Sequence, residues 1–367
     1  MIDTTFLFAR ALGWSPQQLR ERFRPATVED LPALLAFRKR RDWDDAAYLR
    51  WRYGLQEEGG ARYGQLWLLR SESQVLAAIG RETQPIQHAG RIHDGQLLMD
   101  VQVLPELEGR GGGMWLFQAM FERAQTTLAV GANRQSIGLA QRLFTPLPTR
   151  SYCVLPLDSA AMLRQKGYGP WARMGAPVLD AAWALAHRHA QRRKLAGIEV
   201  VETGDVSAAW LDALRSALPA DTACVLPSAE HLHWRLFDNP RARYRLLVAH
   251  RDGRCIGYLA LRNLAGDRGR ITGLHLLDWK VAEDAAADTL TALLQAAIAL
   301  ARAERCDKVF TTVLDASAMP VLRRLGFLIR NSPMQVCGVR GEPSLLGLGG
   351  EGQWQITDLS YDSDGGY

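Results

Sequence analysis

Residues 95–121 read GQLLMDVQVLPELEGRGGGMWLFQAMF. The first nine are an apolar run of strand length, and Leu104-Pro105 ends it, because proline brings no N–H to a ladder and restricts the residue before it. Four of the six residues from Glu108 to Gly113 are glycine. From Met114 the apolar residues of MWLFQAMFERAQTTL (114–128) return at three- and four-residue spacing, a helix pattern. Strand, glycine-dense loop and helix N-terminus in this order bring backbone N–H groups and the positive end of a helix dipole to one place. A phosphate or pyrophosphate is the natural ligand. A Walker loop is excluded, since no Gly-Lys-Ser/Thr follows, and the Rossmann G-x-G-x-x-G is not met in a βαβ setting with an acidic ribose ligand.

Working outward, Tyr48-Leu49-Arg50-Trp51-Arg52 recurs as His231-Leu232-His233-Trp234-Arg235. After the first copy come Arg62-Tyr63, LWLLRSES and QVLAAIGRE; after the second, Arg243-Tyr244, RLLVAHRDG and CIGYLALRN. Each pair reads as a β-hairpin. A third run follows in each half, GQLLMDVQV (95–103) and GLHLLDW (273–279). The second helix, 282–305, has an acidic first turn and a basic last turn that suit its dipole. TLAVGA (127–132) and DKVFTTVLD (307–315) then read as buried strands. Both halves run helix, three strands, helix, strand, helix, a duplicated and diverged α/β unit. The copies differ at the loop: Leu277-Asp278-Trp279-Lys280 enters its helix without a glycine. The expected organisation is an N-terminal extension (1–22), a first domain (23–173), a linker helix (174–196), a second domain (197–340) and a tail (341–367) in which WQITDLS returns as an edge strand.

The chain has 367 residues, a length for two compact domains or one large one, and with 47% hydrophobic and 23% charged residues it has ample apolar material for real cores. No stretch approaches the ~20 apolar residues of a membrane span, and the N-terminus lacks the features of a signal peptide, so a cytoplasmic protein is expected. The net charge is +5, but the basic residues, 39 of 44 of them arginine, are scattered apart from one short cluster over 187–194, and no nucleic-acid partner is expected. Five cysteines, never as CxxC, read as reduced, buried thiols. No metal is expected: His231 and His233 fall on different faces of a helix, and His275 sits in an apolar strand. Trp51 and Trp234, with Arg52 and Arg235, read as structural, packing the first helices onto the sheet. The stretch MGAPVLDAAWALAHRHAQRRK (174–194) is apolar first and basic last. We read it as an interdomain helix with a solvated basic end, in preference to an amphipathic anchor on a membrane surface.

The order of elements and the loop together resemble the GNAT family of acyl-CoA N-acyltransferases. Val101-Gln102-Val103-Leu104-Pro105 is similar to the family's strand end h-x-h-x-P. Glu108-Gly109-Arg110-Gly111-Gly112-Gly113 is similar to its Q/R-x-x-G-x-G/A loop, with Glu108 in place of Gln or Arg. The stretch from Phe23 to Leu31 is similar to the family's opening strand and first helix, and Leu325-Gly326-Phe327 to its late Leu-Gly-Phe motif. The chain resembles tandem GNAT proteins with one working and one degenerate half, among them GNAT-like proteins of bacterial surface-polysaccharide loci.

The resemblance implies an α/β fold of two tandem GNAT-like domains, each a mixed, mostly antiparallel sheet flanked by helices. It implies acetyl-CoA or another acyl-CoA as co-substrate and no metal. The loop from Glu108 through Gly109, Arg110, Gly111, Gly112 and Gly113 to Met114 would hold the pyrophosphate. The backbone of Val101 and Val103 would run along pantetheine, and Asn133 would contact it. The implied activity is acyl transfer, acetyl foremost, to a primary amine of a small metabolite or sugar precursor, with the second half shaping the acceptor cleft. Amine transfer needs a base, for which Asp100, beside the presumed thioester, is the first candidate and Asp94 and Glu108 are weaker ones. The family's tyrosine acid would fall near Leu139 or Ala140, where none stands, leaving Tyr152, Cys153 or water. A Fem-like aminoacyl-tRNA-dependent transferase, a long-chain N-acyltransferase and a non-catalytic CoA-binding module stay open beside this reading, as does the oligomeric state.

Overall fold

The three apolar runs of each half pair as antiparallel neighbours, and the helix after them carries the chain back to a parallel partner. These relations come from a computed structural model that describes residues 4–39, 46–55, 62–131, 136–193, 195–241, 243–265, 271–331, 337–350 and 352–360. The first half supplies β1 (Phe23–Pro25), β2 (Gly64–Arg70), β3 (Val75–Thr83), β4 (Ile86–His88), β5 (Arg91–His93), β6 (Gly95–Val103), β7 (Thr126–Val130), β8 (Thr145–Leu147) and β9 (Ser151–Pro156). The second supplies β10 (Glu199–Thr203), β11 (Ala223–Val225), β12 (Tyr244–Arg251), β13 (Arg254–Ala265), β14 (Ile271–Val281), β15 (Lys308–Val313), β16 (Leu328–Asn331), β17 (Cys337–Arg340) and β18 (Trp354–Gln355).

Two seven-stranded sheets result, ordered β1-β2-β3-β6-β7-β17-β8 and β10-β12-β13-β14-β15-β9-β16. Their polarities match pair for pair, antiparallel throughout except for β6 beside β7 and β14 beside β15. The faint sequence repeat is thus a full topological repeat, and the α/β fold expected from it is present. The sheets do not, however, follow the 173/174 division of the chain. β9, from the first half, lies inside the second sheet, and β17, from the second half, lies inside the first. A third sheet, β18-β11-β4-β5, joins a hairpin of the first half to two strands of the second. Its Ile86, Val225 and Trp354 share one buried cluster with Leu97, Leu128 and Val339, so apolar burial also runs between the halves.

The helices follow their stripes. In helix Ala286–Ala303, Leu290, Leu293, Leu294, Ala297 and Ile298 are buried in the second core. By length and composition this helix passes for a membrane span, yet its apolar side packs on β13 and β14. The helix expected over 114–128 is shorter. It spans Gly112–Phe121, and Thr126-Thr127-Leu128 belong to β7, buried between β6 and β17 where β-branched residues fit a pleated surface.

The repeated motifs meet each other. Helices Ala46–Tyr53 and Ala229–Phe237 place Trp51 and Trp234 in a stack at 4.8 Å, and Tyr63 stacks on His231 at 4.2 Å. The two tryptophans therefore pack half against half. Between them Glu82 of β3 is buried, with Arg52 at 2.6 Å, His231 at 2.8 Å and Arg235 at 3.9 Å. A buried carboxylate of this kind is tolerated only because cations and donors surround it.

Candidate active site

β6 is regular until Asp100. Its register with β3 runs Ala77↔Val103 and Ala78↔Gln102, then resumes at Gly80↔Met99. Asp100 and Val101 thus face the single residue Ile79, a β-bulge, and Asp100 takes φ +51°. Positive φ is uncommon outside glycine, and aspartate is among the residues that tolerate it. The buried carboxylate is held by the Tyr53 hydroxyl at 2.5 Å and by Arg38 Nη2 at 2.9 Å. Burial by itself would raise its pKa; the Arg38 charge and the Tyr53 hydrogen bond prevail and hold it below the usual carboxylate range. Tyr53 reaches Asp100 because Gly80 lies in between, where a Cβ would stand 2.4 Å from the tyrosine oxygen.

On its other side β6 pairs with β7 only over Gly95–Leu97. Past Leu97 the described residues place no strand against it, so the two parallel strands part just before the bulge. At the end of β6 the chain makes a short 3-10 turn, Pro105–Leu107, and then left-handed turns at Gly109 (φ 74°) and Gly111 (φ 88°). A Cβ at either glycine would meet nothing within 4 Å, so the backbone here is open to a ligand. The first helical hydrogen bond of helix Gly112–Phe121 runs from the Trp115 N–H to the Gly111 carbonyl. The N–H groups of Gly112, Gly113 and Met114 precede it and are first-turn donors, aligned with the dipole. Strand, left-handed glycine turns and helix start thus follow one another in the order read from the sequence.

The loop helix has a support that the sequence did not signal. Phe8, in helix Thr5–Leu12, packs so closely on Gly112 that a Cβ there would lie 2.8 Å from its ring. Thr4 Oγ1 donates to Gln118 Oε1 at 2.6 Å. On the other flank Gly113 faces Leu139 of helix Ile137–Leu143. The N-terminal extension is therefore part of the loop's foundation.

In the second sheet the equivalent gap is filled. β14 and β15 pair only over Gly273–His275, and the chain's own tail enters beyond. Leu314 and Ile356 exchange backbone hydrogen bonds at 2.8 Å, and Asp358 accepts from the Thr312 N–H (2.8 Å), Arg150 (2.7 Å) and His275 (2.6 Å). Thr357 donates to Asp278, which also accepts from Tyr258 and Lys280. The next helix opens on Glu283, Asp284 and Asp288 rather than on glycines. Acidic residues suit a helix N-terminus but repel a phosphate. His275 is accordingly a bonded core histidine.

Of the residues chosen from sequence, the structure gathers Asp100, Val101, Val103 and the loop from Glu108 through Arg110 to Met114 along one strand-to-helix path. Val101, Val103 and Met114 pack their side chains on the first core, while Glu108 and Arg110 are exposed. Asn133 lies outside the described residues. Tyr152 is placed elsewhere. It is on β9 in the second sheet, opposite Thr312 and Arg330, with its ring 6.1 Å from Phe310. Cys153 beside it is buried, which pushes its thiol up to about 12, too weak an acid to protonate a leaving thiolate. Sequence reasoning missed Arg38, Tyr53 and Gly80, the three residues that shape the bulge; only Tyr53 carried a hint, as the neighbour of the repeated Trp-Arg. Among the described residues no three His, Cys, Asp or Glu side chains converge as a metal site would require.

No family model and no curated protein matches this sequence. Solved structures do match it. A GCN5-related N-acetyltransferase from Anabaena variabilis is 14% identical with a TM-score of 0.56, over 89% of this chain and 74% of that one. Another from Kribbella flavida is 16% identical with a TM-score of 0.51, over 89% and 72%. Saccharomyces cerevisiae N-myristoyltransferase with bound myristoyl-CoA is 12% identical with a TM-score of 0.53, over 88% and 84%. Over most of its length the chain has the fold of GCN5-related N-acetyltransferases and of N-myristoyltransferase.

Proposed function

We propose that the protein is an acyl-CoA-dependent N-acyltransferase that moves a short acyl group, acetyl foremost, onto a primary amine of a small metabolite or sugar precursor. The observation that carries this reading is the coincidence on β6 of a bulge, a parting from β7 and a glycine loop opening a helix. The second half has none of the three in usable form, since its gap holds residues 356–360. The first half is accordingly the cofactor half.

The chain's own groups divide the work. The first-turn N–H groups of Gly112, Gly113 and Met114 bind the pyrophosphate, with Gly109 and Gly111 letting it approach. The parting of β6 and β7 admits the pantetheine arm beside Val101. An acyl-CoA supplies an activated thioester whose carbonyl gains negative charge on attack by the amine. The bulge takes Asp100 and Val101 out of the regular ladder, which frees backbone N–H for that developing oxyanion. Asp100 is a positioning residue in this scheme: its carboxylate is engaged by Arg38 and Tyr53, and the Arg38 charge and Tyr53 hydrogen bond favour its ionised form. As the C–N bond forms and the C–S bond breaks, the proton lost by the amine passes through water. The CoA thiolate, with an ordinary thiol pKa of about 8.5, leaves without a dedicated protein acid and takes up a proton from water. Long-chain transfer is the second reading, favoured by the likeness to N-myristoyltransferase.

Thermal unfolding of the purified protein with CoA, acetyl-CoA and longer acyl-CoAs tests both. A ligand at about 100 times its dissociation constant adds about 2.7 kcal/mol, a clear rise in melting temperature. Gly111→Asp should abolish that rise, and the best chain length names the donor. No rise with any CoA overturns the proposal.

A further inference from the structure

Helices Pro170–Met174 and Ala176–Arg192 follow one another through Gly175, itself in helical geometry. One face of the longer helix is docked. Trp183 Nε1 donates to the Gly326 carbonyl at 3.0 Å, Gln191 Nε2 to the Leu325 carbonyl at 2.7 Å, and Asp180 accepts from the Ser159 N–H at 3.0 Å. His187 Nδ1 lies 3.2 Å from the Arg324 carbonyl. These residues recur at three- and four-residue spacing, so they occupy one side. A helix on a protein surface ordinarily turns its apolar stripe to that side. This one does the reverse. Val178 and Leu185, seven residues apart, are 74% and 70% exposed on the opposite face, and Trp171 (84%) and Met174 (69%) continue the spacing into the short helix. Six of the eleven large hydrophobics exposed among the described residues lie between Tyr168 and Leu185.

Charge accompanies them. Residues 164–194 hold seven Lys or Arg against the single Asp180, a net +6, whereas the whole chain is +5. The chain's entire positive excess therefore sits in this segment, and the remainder is slightly acidic. Arg164, Lys166, Arg188, Arg192 and Arg193 are exposed. A groove of about 280 Å³ between this helix and helix Ala286–Ala303 carries His189, Arg193 and Arg324, with Asp288 on its far wall.

We propose that this face docks on an anionic lipid surface, with Trp171, Met174, Val178 and Leu185 in the interface and the cations at the phosphates. Tryptophan beside aliphatic side chains, rimmed by Arg and Lys, is the composition of a helix lying in a membrane plane. A second copy of the chain fits less well, because pairing these faces brings two strongly cationic rims together.

Sedimentation of the full-length protein with vesicles of phosphatidylcholine, alone or mixed with phosphatidylglycerol, tests the proposal. Binding to the mixed vesicles only, weakened by salt, is expected. Val178→Glu with Leu185→Glu should lower it about tenfold, since a charge must then enter the apolar boundary. Both positions are exposed, so the melting temperature should not change. Arg188→Gln with Arg192→Gln and Arg193→Gln should remove the preference for phosphatidylglycerol. No binding to either vesicle, equal binding to both, or binding unchanged in the Glu double variant overturns the proposal. A dimer in solution that the same double variant dissociates, without vesicle binding, assigns the face to a second copy instead.

Discussion

Asp100 combines a left-handed backbone with a buried carboxylate, and the same two groups, Arg38 and Tyr53, maintain both. Asp100→Asn removes the buried carboxylate that Arg38 and Tyr53 bond, and the loss of one member of a buried ion pair typically costs about 3–5 kcal/mol. The expected result is a marked fall in melting temperature and slower acyl transfer, with the pH–rate profile of the residual activity keeping its apparent pKa. Loss of the acid limb at unchanged stability would return Asp100 to the role of base. Asp30 is a second carboxylate with a structural task, bonded by Arg24, Arg70 and the Thr27 N–H. Burial opposes its ionisation, but the arginine and backbone hydrogen bonds overcome this and hold it well below the ordinary value. A depressed native pKa gives stability that is complete above the unfolded value of about 3.9 and is lost as pH falls through the native one. Asp30→Asn should therefore lower stability at neutral pH and flatten its decline from pH 5 downward, as read by urea titrations across that range.

Among the elements, the helix Gly112–Phe121 depends on a partner more than a hundred residues away in sequence. Phe8 lies against Gly112 at a distance that no side chain there can share. Gly112→Val should keep the protein folded, with the 1–3 kcal/mol of strain usual for overpacking, while tilting the loop N–H groups off the pyrophosphate. Calorimetric titration should show acyl-CoA affinity reduced about tenfold, or 1.4 kcal/mol. Undiminished affinity would separate the N-terminal helix from the cradle. The loop itself is legible in the amino-acid sequence, because glycine density, a preceding strand and a following helix stripe are local facts. The bulge is not. It arises where β3 and β6 must accommodate Tyr53 over Gly80, and no spacing within β6 reports that.

At the scale of the whole molecule, the exchange of β9 and β17 makes each sheet incomplete without the other half. Each exchanged strand is interior, so its absence would expose two rows of unpaired backbone groups. Residues 1–173 and 197–367 expressed separately should lack a cooperative transition, and the full chain should unfold in one calorimetric step. Two folded fragments with independent transitions would show the exchange to be dispensable. Glu82 adds a polar tie, since its partners Arg52, His231 and Arg235 come from both halves.

The amino-acid sequence by itself determined the duplicated α/β order, the strand, glycine loop and helix of the first half, and the absence of those glycines in the second half. Those features rest on periodicity and on glycine, which act over a few residues. Only the tertiary structure decided that Trp51 stacks on Trp234, that Asp100 is held by Arg38, and that the tail fills the second gap. It also decided that helix Ala176–Arg192 turns its apolar side outward, where its sequence suggests an ordinary interdomain packing. Each of these joins residues far apart in the chain, and the free energy that selects them comes from burial and charge pairing that exist only once both sheets are closed.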